Sequence, residues 1–125
     1  MTNNQVVLFQ NKSIRQVWHE NQWFFSIVDI IEILTDSVAP KKYWTKLKKR
    51  LTEDGFFEVT TESSLLKALK MRAADGKLYL TDAAPRQTIL RIAISVPSPK
   101  AEPLRVWLAE VGNERFEEIE NPEIA

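Results

Sequence analysis

The chain reads as a single α+β domain over residues 1–125, with small N-terminal strands and hairpins packed against about four helices. Three observations predict this. Short apolar and aromatic runs separated by polar pairs fill the first quarter, which is the spacing of antiparallel strands. From Ser26 the apolar residues switch to a period near 3.6, the mark of helices. The chain has 125 residues, 44% of them hydrophobic, with four Trp and no repeat or low-complexity linker. One core is therefore expected, burying roughly two-thirds of the unfolded surface.

Val6 to Phe9, Ile14 to Trp18 and Trp23 to Phe25 are the predicted strands, with Glu20-Asn21 turning between the last two despite the absence of an Asn-Gly pair. Ser26-x-x-Asp29 resembles a capping box with Asp in place of Glu. Ile27, Val28, Ile30, Ile31, Ile33 and Leu34 then leave only Asp29, Glu32 and Asp36 on a polar face, as in a largely buried helix. Thr35 to Ala39 is a loop, Pro40 suits the first turn of a second helix, and Gly55 ends it. Phe56 to Thr60 reads as a further strand. Leu65 to Tyr79 reads as a hairpin turning at Ala74-Asp75-Gly76-Lys77, with Lys70, Arg72 and Lys77 making its tip basic. Asp82 is the expected cap of a third helix, with Pro85 in its opening turn and Ile89, Leu90, Ile92 and Ala93 buried. Pro97-Ser98-Pro99 punctuates, Ser98 caps, and Leu104, Trp107, Leu108 and Val111 form a core stripe up to Gly112.

Charge is the sharpest local signal. Lys and Arg total seventeen against seventeen Asp and Glu, yet six of the ten residues from Lys41 to Arg50 are basic and no acid falls between Asp36 and Glu53. On a helix Tyr43, Trp44, Leu47 and Leu51 share the inward stripe, which makes the two aromatics core residues rather than stacking platforms. Lys42, Lys46 and Lys49 line a second face with Arg50 at its edge, and Lys41 and Lys48 flank it. Like charges at this spacing cost an isolated helix about 0.2–0.5 kcal/mol per pair, so a polyanion is the natural reason for them. A plain solvated face fits the same residues. Net neutrality permits one basic and one acidic face but not a molecule that coats a polyanion on all sides. Glu110, Glu114, Glu117, Glu118, Glu120 and Glu123 gather at the C-terminal end, where a solvated helix surface is expected.

Catalytic groups are scarce. There is no cysteine, so disulfides, thiolate sites and thiol redox chemistry are excluded. His19 is the only histidine and reads as a surface or pairing residue, and a zinc site would have to be mostly carboxylate. Asp29, Glu32 and Asp36 share a face that could hold Mg²⁺, but solvation or pairing with nearby lysines is the simpler expectation. Phosphate-binding glycine loops and nucleophile elbows are missing, with only Gly55, Gly76 and Gly112 available. No enzyme, metal or cofactor is expected. Met-Thr-Asn-Asn-Gln lacks a signal-peptide pattern and no apolar run is long enough to span a bilayer, so the expected location is the cytoplasm.

Several segments together resemble the Bro-N domain, the N-terminal module of the BRO and phage-antirepressor family. They are Val17-Trp18-His19, Trp23 to Ile30, Leu34-Thr35-Asp36-Ser37, Tyr43-Trp44 with Leu47 to Arg50, Ala73 to Lys77, Thr81-Asp82, Pro97 to Pro103 and Trp107 to Gly112. The resemblance implies an α+β, DNA-binding, non-enzymatic domain of a phage or prophage regulator, usually followed by a separate C-terminal domain. The chain departs from the family pattern at Ala83-Ala84-Pro85-Arg86-Gln87, where acidic residues are usual. The expected partner is double-stranded DNA, held by Lys41, Lys42, Lys46, Lys48, Lys49 and Arg50, with Arg72, Lys77 and Arg86 nearby. Base reading would need Arg50, Arg72 or Arg86, because guanidinium grips guanine in bidentate fashion. The alternative is a protein-interaction module that captures a repressor or other DNA-transaction protein, with the acidic C-terminal helix as its working surface, and an oligomer is compatible with either.

Overall fold

The computed structural model describes the backbone over residues 4–55 and 66–120 and side chains over 5–55 and 66–110. The strands are β1 (Asn4–Phe9), β2 (Lys12–His19), β3 (Gln22–Ser26), β4 (Lys67–Arg72) and β5 (Leu78–Pro85). The helices are α1 (Ile27–Thr35), α2 (Pro40–Glu53), α3 (Arg86–Ile94) and α4 (Ala101–Glu120). All five strands join one antiparallel sheet in the order β1-β2-β3-β5-β4. This is the predicted α+β class. The strand expected over Phe56 to Thr60 lies outside the described residues.

Both N-terminal hairpins turn on two residues with positive φ: Gln10 at 51° and Asn11 at 65°, then Glu20 at 51° and Asn21 at 64°. Positive φ at both central positions matches the right-handed twist of the flanking strands, and Asn tolerates that region best among residues with a side chain. The second hairpin sets Trp18 opposite Trp23, their rings edge to face at 5.2 Å.

Strand periodicity then divides the sheet into two faces. Val7, Phe9, Ile14, Trp23, Phe25 and Ala84 meet the buried residues of all four helices. The opposite face closes over a smaller cluster of Val17, Phe24, Met71 and Ala83. That closure requires the sheet to curl, and β2 does touch β4 although two strands lie between them in the sheet.

Ser26 ends β3 and caps α1, its Oγ accepting the Asp29 backbone N–H at 3.4 Å. Six of the nine α1 residues are buried, so this helix is the centre of the core. Ile30 is fully buried. Ile30→Ala should therefore cost about 3 kcal/mol in urea unfolding, from lost transfer energy and the cavity left behind. A loss below about 1 kcal/mol would mean that the core collapses around the gap.

Pro40 opens α2 as expected, and Gly55, at φ 79°, follows its last turn. Trp44, Leu47 and Leu51 are buried and Tyr43 packs beside them, so the aromatics are core residues as the stripe predicts. Leu104 and Leu108 of α4 are buried, and Trp107 meets Phe9 edge to face at 5.4 Å. The Ser98 Oγ accepts the Lys100 N–H just ahead of this helix, whose backbone continues beyond Gly112 to Glu120. The side chains of the acidic cluster from Glu114 onward are outside the described residues.

Two expectations for α3 fail. Leu90 is only partly buried, beside the buried Ile89, Ile92 and Ala93. Asp82 does not cap α3; it lies within β5, and the helix begins four residues later behind Pro85. Pairing of β5 with β3 (Ser26 with Ala83, Phe25 with Ala84, Phe24 with Pro85) keeps this stretch extended. The carboxylate that would have capped the helix is drawn to Trp44 and Lys48 instead.

Candidate nucleic-acid interface

Ahead of Ala83, β5 pairs with β4 and not with β3, so the two strands leave the sheet as a ribbon. Its turn is tightly fixed. Gly76 adopts φ 85°, the Asp75 carboxylate accepts the Lys77 N–H at 2.8 Å and the Tyr79 hydroxyl at 2.6 Å, and the Arg72 Nη1 donates to the Gly76 carbonyl at 2.6 Å. These bonds hold the Asp75 carboxyl below its ordinary range, the Tyr79 hydroxyl contributing most and the Lys77 amide next. A lowered carboxyl stabilises the folded turn fully above the ordinary Asp pKa, and that contribution disappears as pH falls through the lowered value. The Tyr79 ring and Lys77 amide signals should stay native-like down to about pH 4 and shift only in more acidic solution, in NMR titration. A transition centred above about pH 5 would contradict this.

The ribbon folds back toward β2 through Arg15. Its Nε and Nη2 donate to the two oxygens of Asp29 at 2.9 Å, and its own backbone N–H donates to Oδ2 at 2.9 Å. The same guanidinium donates to Ser26 Oγ at 3.2 Å and to the Arg72 carbonyl at 3.3 Å. The hydrogen bond to Asp29 is the main cause that holds the guanidinium protonated above its ordinary value. One side chain thus ties together β2, the start of α1 and the end of β4.

Across from the ribbon stands α2. Between them runs a furrow of about 650 Å³, lined by Arg15, Lys41, Trp44, Arg72, Leu80 and Asp82 among others. A second hollow of about 470 Å³ continues along α2 past Lys48, Lys49 and Thr52, sharing Trp44, Thr45 and Asp82 with the first. Asp82 sits where the two meet, its Oδ2 accepting Trp44 Nε1 at 2.8 Å and Lys48 Nζ at 3.1 Å. Both carboxylates at this floor are matched by a cation, Asp29 by Arg15 and Asp82 by Lys48.

The expected basic residues therefore fall into groups. Lys41 and Arg72 line one furrow from opposite walls, and Lys48 and Lys49 line its continuation. Lys42 and Lys46 are exposed on α2, and Lys77 is exposed at the ribbon turn. Arg50 donates to the Ser95 carbonyl at 3.4 Å, toward the end of α3. Arg86 is half-buried as the first residue of α3 and is not among the residues lining either hollow. Sequence spacing does not single out Arg15, and it reads Trp44 only as a core residue and Asp82 only as a helix cap. A cation in a strand looks like any outward-facing residue until its partner in the next helix is known.

Elsewhere, Asp36 pairs with Lys100 at 3.2 Å and lies 4.0 Å from Lys12, the lysine pairing anticipated for this face. His19 pairs with Glu20, which Lys67 also holds. Among the described residues no three His, Asp or Glu side chains are grouped to hold a metal ion, and no helix is long and apolar enough to cross a membrane.

Fold and furrow together define a class: a small α+β domain that sets a basic helix against a basic β-ribbon. The sequence model of the BRO family, N-terminal domain, matches residues 13–116. The chain belongs to that family, which implies a DNA-binding regulatory domain of the phage-antirepressor kind. Comparison with curated proteins and with solved structures gives no match.

Proposed function

We propose that this domain binds duplex DNA as part of a phage or prophage antirepressor-like regulator working in the cytoplasm. Lys41, Lys42, Lys46 and Lys49 of α2 hold phosphates, with Arg50, Arg72, Lys77 and Arg86 as further contacts. The observation that carries this is the meeting of Lys41 and Arg72 on opposite walls of one furrow. Cations from two distant segments converge there, as a helix and a ribbon must to follow one groove and its backbone. Lys48 contributes less than its neighbours because Asp82 already holds it.

Each lysine that neutralises a phosphate releases condensed counterions. With about four such contacts, affinity for a random duplex should fall roughly a hundredfold between about 50 and 200 mM salt. Fluorescence anisotropy of a labelled duplex measures this directly. Absence of binding at the lower salt concentration would overturn the proposal.

A further inference from the structure

The ribbon presents an unusual outer face. Register pairs Arg72 with Leu78, Lys70 with Leu80 and Ala68 with Asp82, so these side chains point the same way. The other face of the ribbon carries Met71, Ala83 and Leu69, which are packed in the small cluster with Val17 and Phe24. Toward Asp82 the outer face meets Trp44 and Lys48 of α2, and toward the turn it opens to solvent. There Leu80 is 68% exposed and Leu78 47% exposed. Two leucines stand in water, each directly opposite a cation, with Leu80 on the wall of the furrow that faces Lys41.

Isolated exposed leucines are ordinary. Two on one face, each opposite a cation, on a strand pair fixed by a hydrogen-bonded turn, form a surface with a definite partner chemistry. Cations that flank apolar tips match a polyanion with an apolar interior, and stacked bases between two phosphate strands have that composition. Leucine offers no hydrogen bond with which to read base edges. What it can do is enter between base pairs, as apolar wedges do in the minor groove, while neighbouring cations hold the phosphates on either side.

We infer that Leu80, supported by Leu78, is a wedge that inserts at a base step and bends the bound duplex. The inference rests on the DNA-binding reading above and adds a mechanical action to it. Lys70 and Arg72 hold the phosphates beside the opened step, and α2 grips the backbone across the furrow.

The test uses the domain with a duplex labelled at both ends, comparing the parent with Leu80→Ala. Energy transfer between the ends should show the parent bending the duplex by at least about 20°, and the variant leaving it straight. A single mismatched step is cheaper to open, so the parent should bind a mismatched duplex several-fold more tightly than a matched one. Leu80→Ala should lose that preference yet keep the parent's salt dependence, because the phosphate contacts are unchanged. Its exposure predicts an unaltered melting temperature, which separates the wedge from a folding effect. A parent that binds without bending, or a variant that bends and prefers mismatches as the parent does, overturns the wedge alone. A parent that binds no duplex even at about 50 mM salt overturns the DNA reading and the wedge together.

Discussion

Reversing three charges on α2, in the variant Lys42→Glu, Lys46→Glu, Lys49→Glu, is expected to weaken duplex binding at least about a hundredfold at roughly 100 mM salt while the domain stays folded. If these residues supply three of about four phosphate contacts, the slope of log affinity on log salt drops by about 2.7, and the new carboxylates add repulsion. The fold has no reason to object. All three side chains are exposed and hold no hydrogen bond or ion pair among the described residues. The carboxylate introduced by Lys42→Glu would sit favourably near the helix N-terminus, and that of Lys46→Glu would gain Arg50 one turn on. These gains offset the Glu–Glu pairs that replace the Lys–Lys pairs and the new repulsion between Lys49→Glu and Glu53. Thermal unfolding followed by circular dichroism should give a midpoint within about 4 °C of the parent, a shift corresponding to under about 1 kcal/mol. A folded triple variant that still binds as well as the parent would remove α2 from the interface.

The largest effect on stability outside the apolar core should come from Arg15. Its side chain is 22% exposed and that of Asp29 is 16% exposed. Arg15→Ala would leave the Asp29 carboxylate with the backbone N–H of residue 15 as its remaining donor and would remove the guanidinium from Ser26 Oγ and the Arg72 carbonyl. Removing one member of a buried pair costs about 3–5 kcal/mol; partial exposure here brings the expected loss below that, to about 2–3 kcal/mol. Arg15→Lys keeps the charge but not the fork, and should recover less than half of the loss. The exposed Arg105–Glu102 pair on α4, with side chains 54% and 69% exposed, supplies the contrast. Arg105→Ala should have little or no measurable effect on stability, as for most exposed pairs. Urea unfolding of the three variants decides it. Equal small losses for Arg15→Ala and Arg105→Ala would show that Arg15 ties nothing together.

The helices and hairpins were legible in the sequence because their signals are local. Ser26 ahead of a run of isoleucines, Pro40 opening a stripe of Trp44, Leu47 and Leu51, and Gly76 at a turn each act within a few residues of themselves. Asp82 misleads for the same reason. Three residues before Pro85, it has the form of a helix start, and its pairing with Ala68 together with that of Ala83 with Ser26, far away in sequence, keeps it in a strand. The furrow was half legible. The run of cations from Lys41 to Arg50 and the basic hairpin tip are visible in the chain, but that Lys41 and Arg72 of these two segments face one another depends on how the sheet curls. That curl is set by Met71 burying beside Val17 and by Arg15 reaching the Arg72 carbonyl, contacts that no periodicity encodes.

Because the guanidinium of Arg15 joins β2, the start of α1 and the end of β4, one wall of the furrow is set in place when the chain folds, before any ligand arrives. In the proposed complex, association need not order the backbone of that wall; the main entropic cost falls on long lysine side chains, about 2 kcal/mol of rotamer freedom each if fully immobilised. A receptor with a preset gauge favours polyanions whose own charges are rigidly spaced. Duplex nucleic acid meets that demand, and a flexible acidic peptide must give up its own freedom to imitate it.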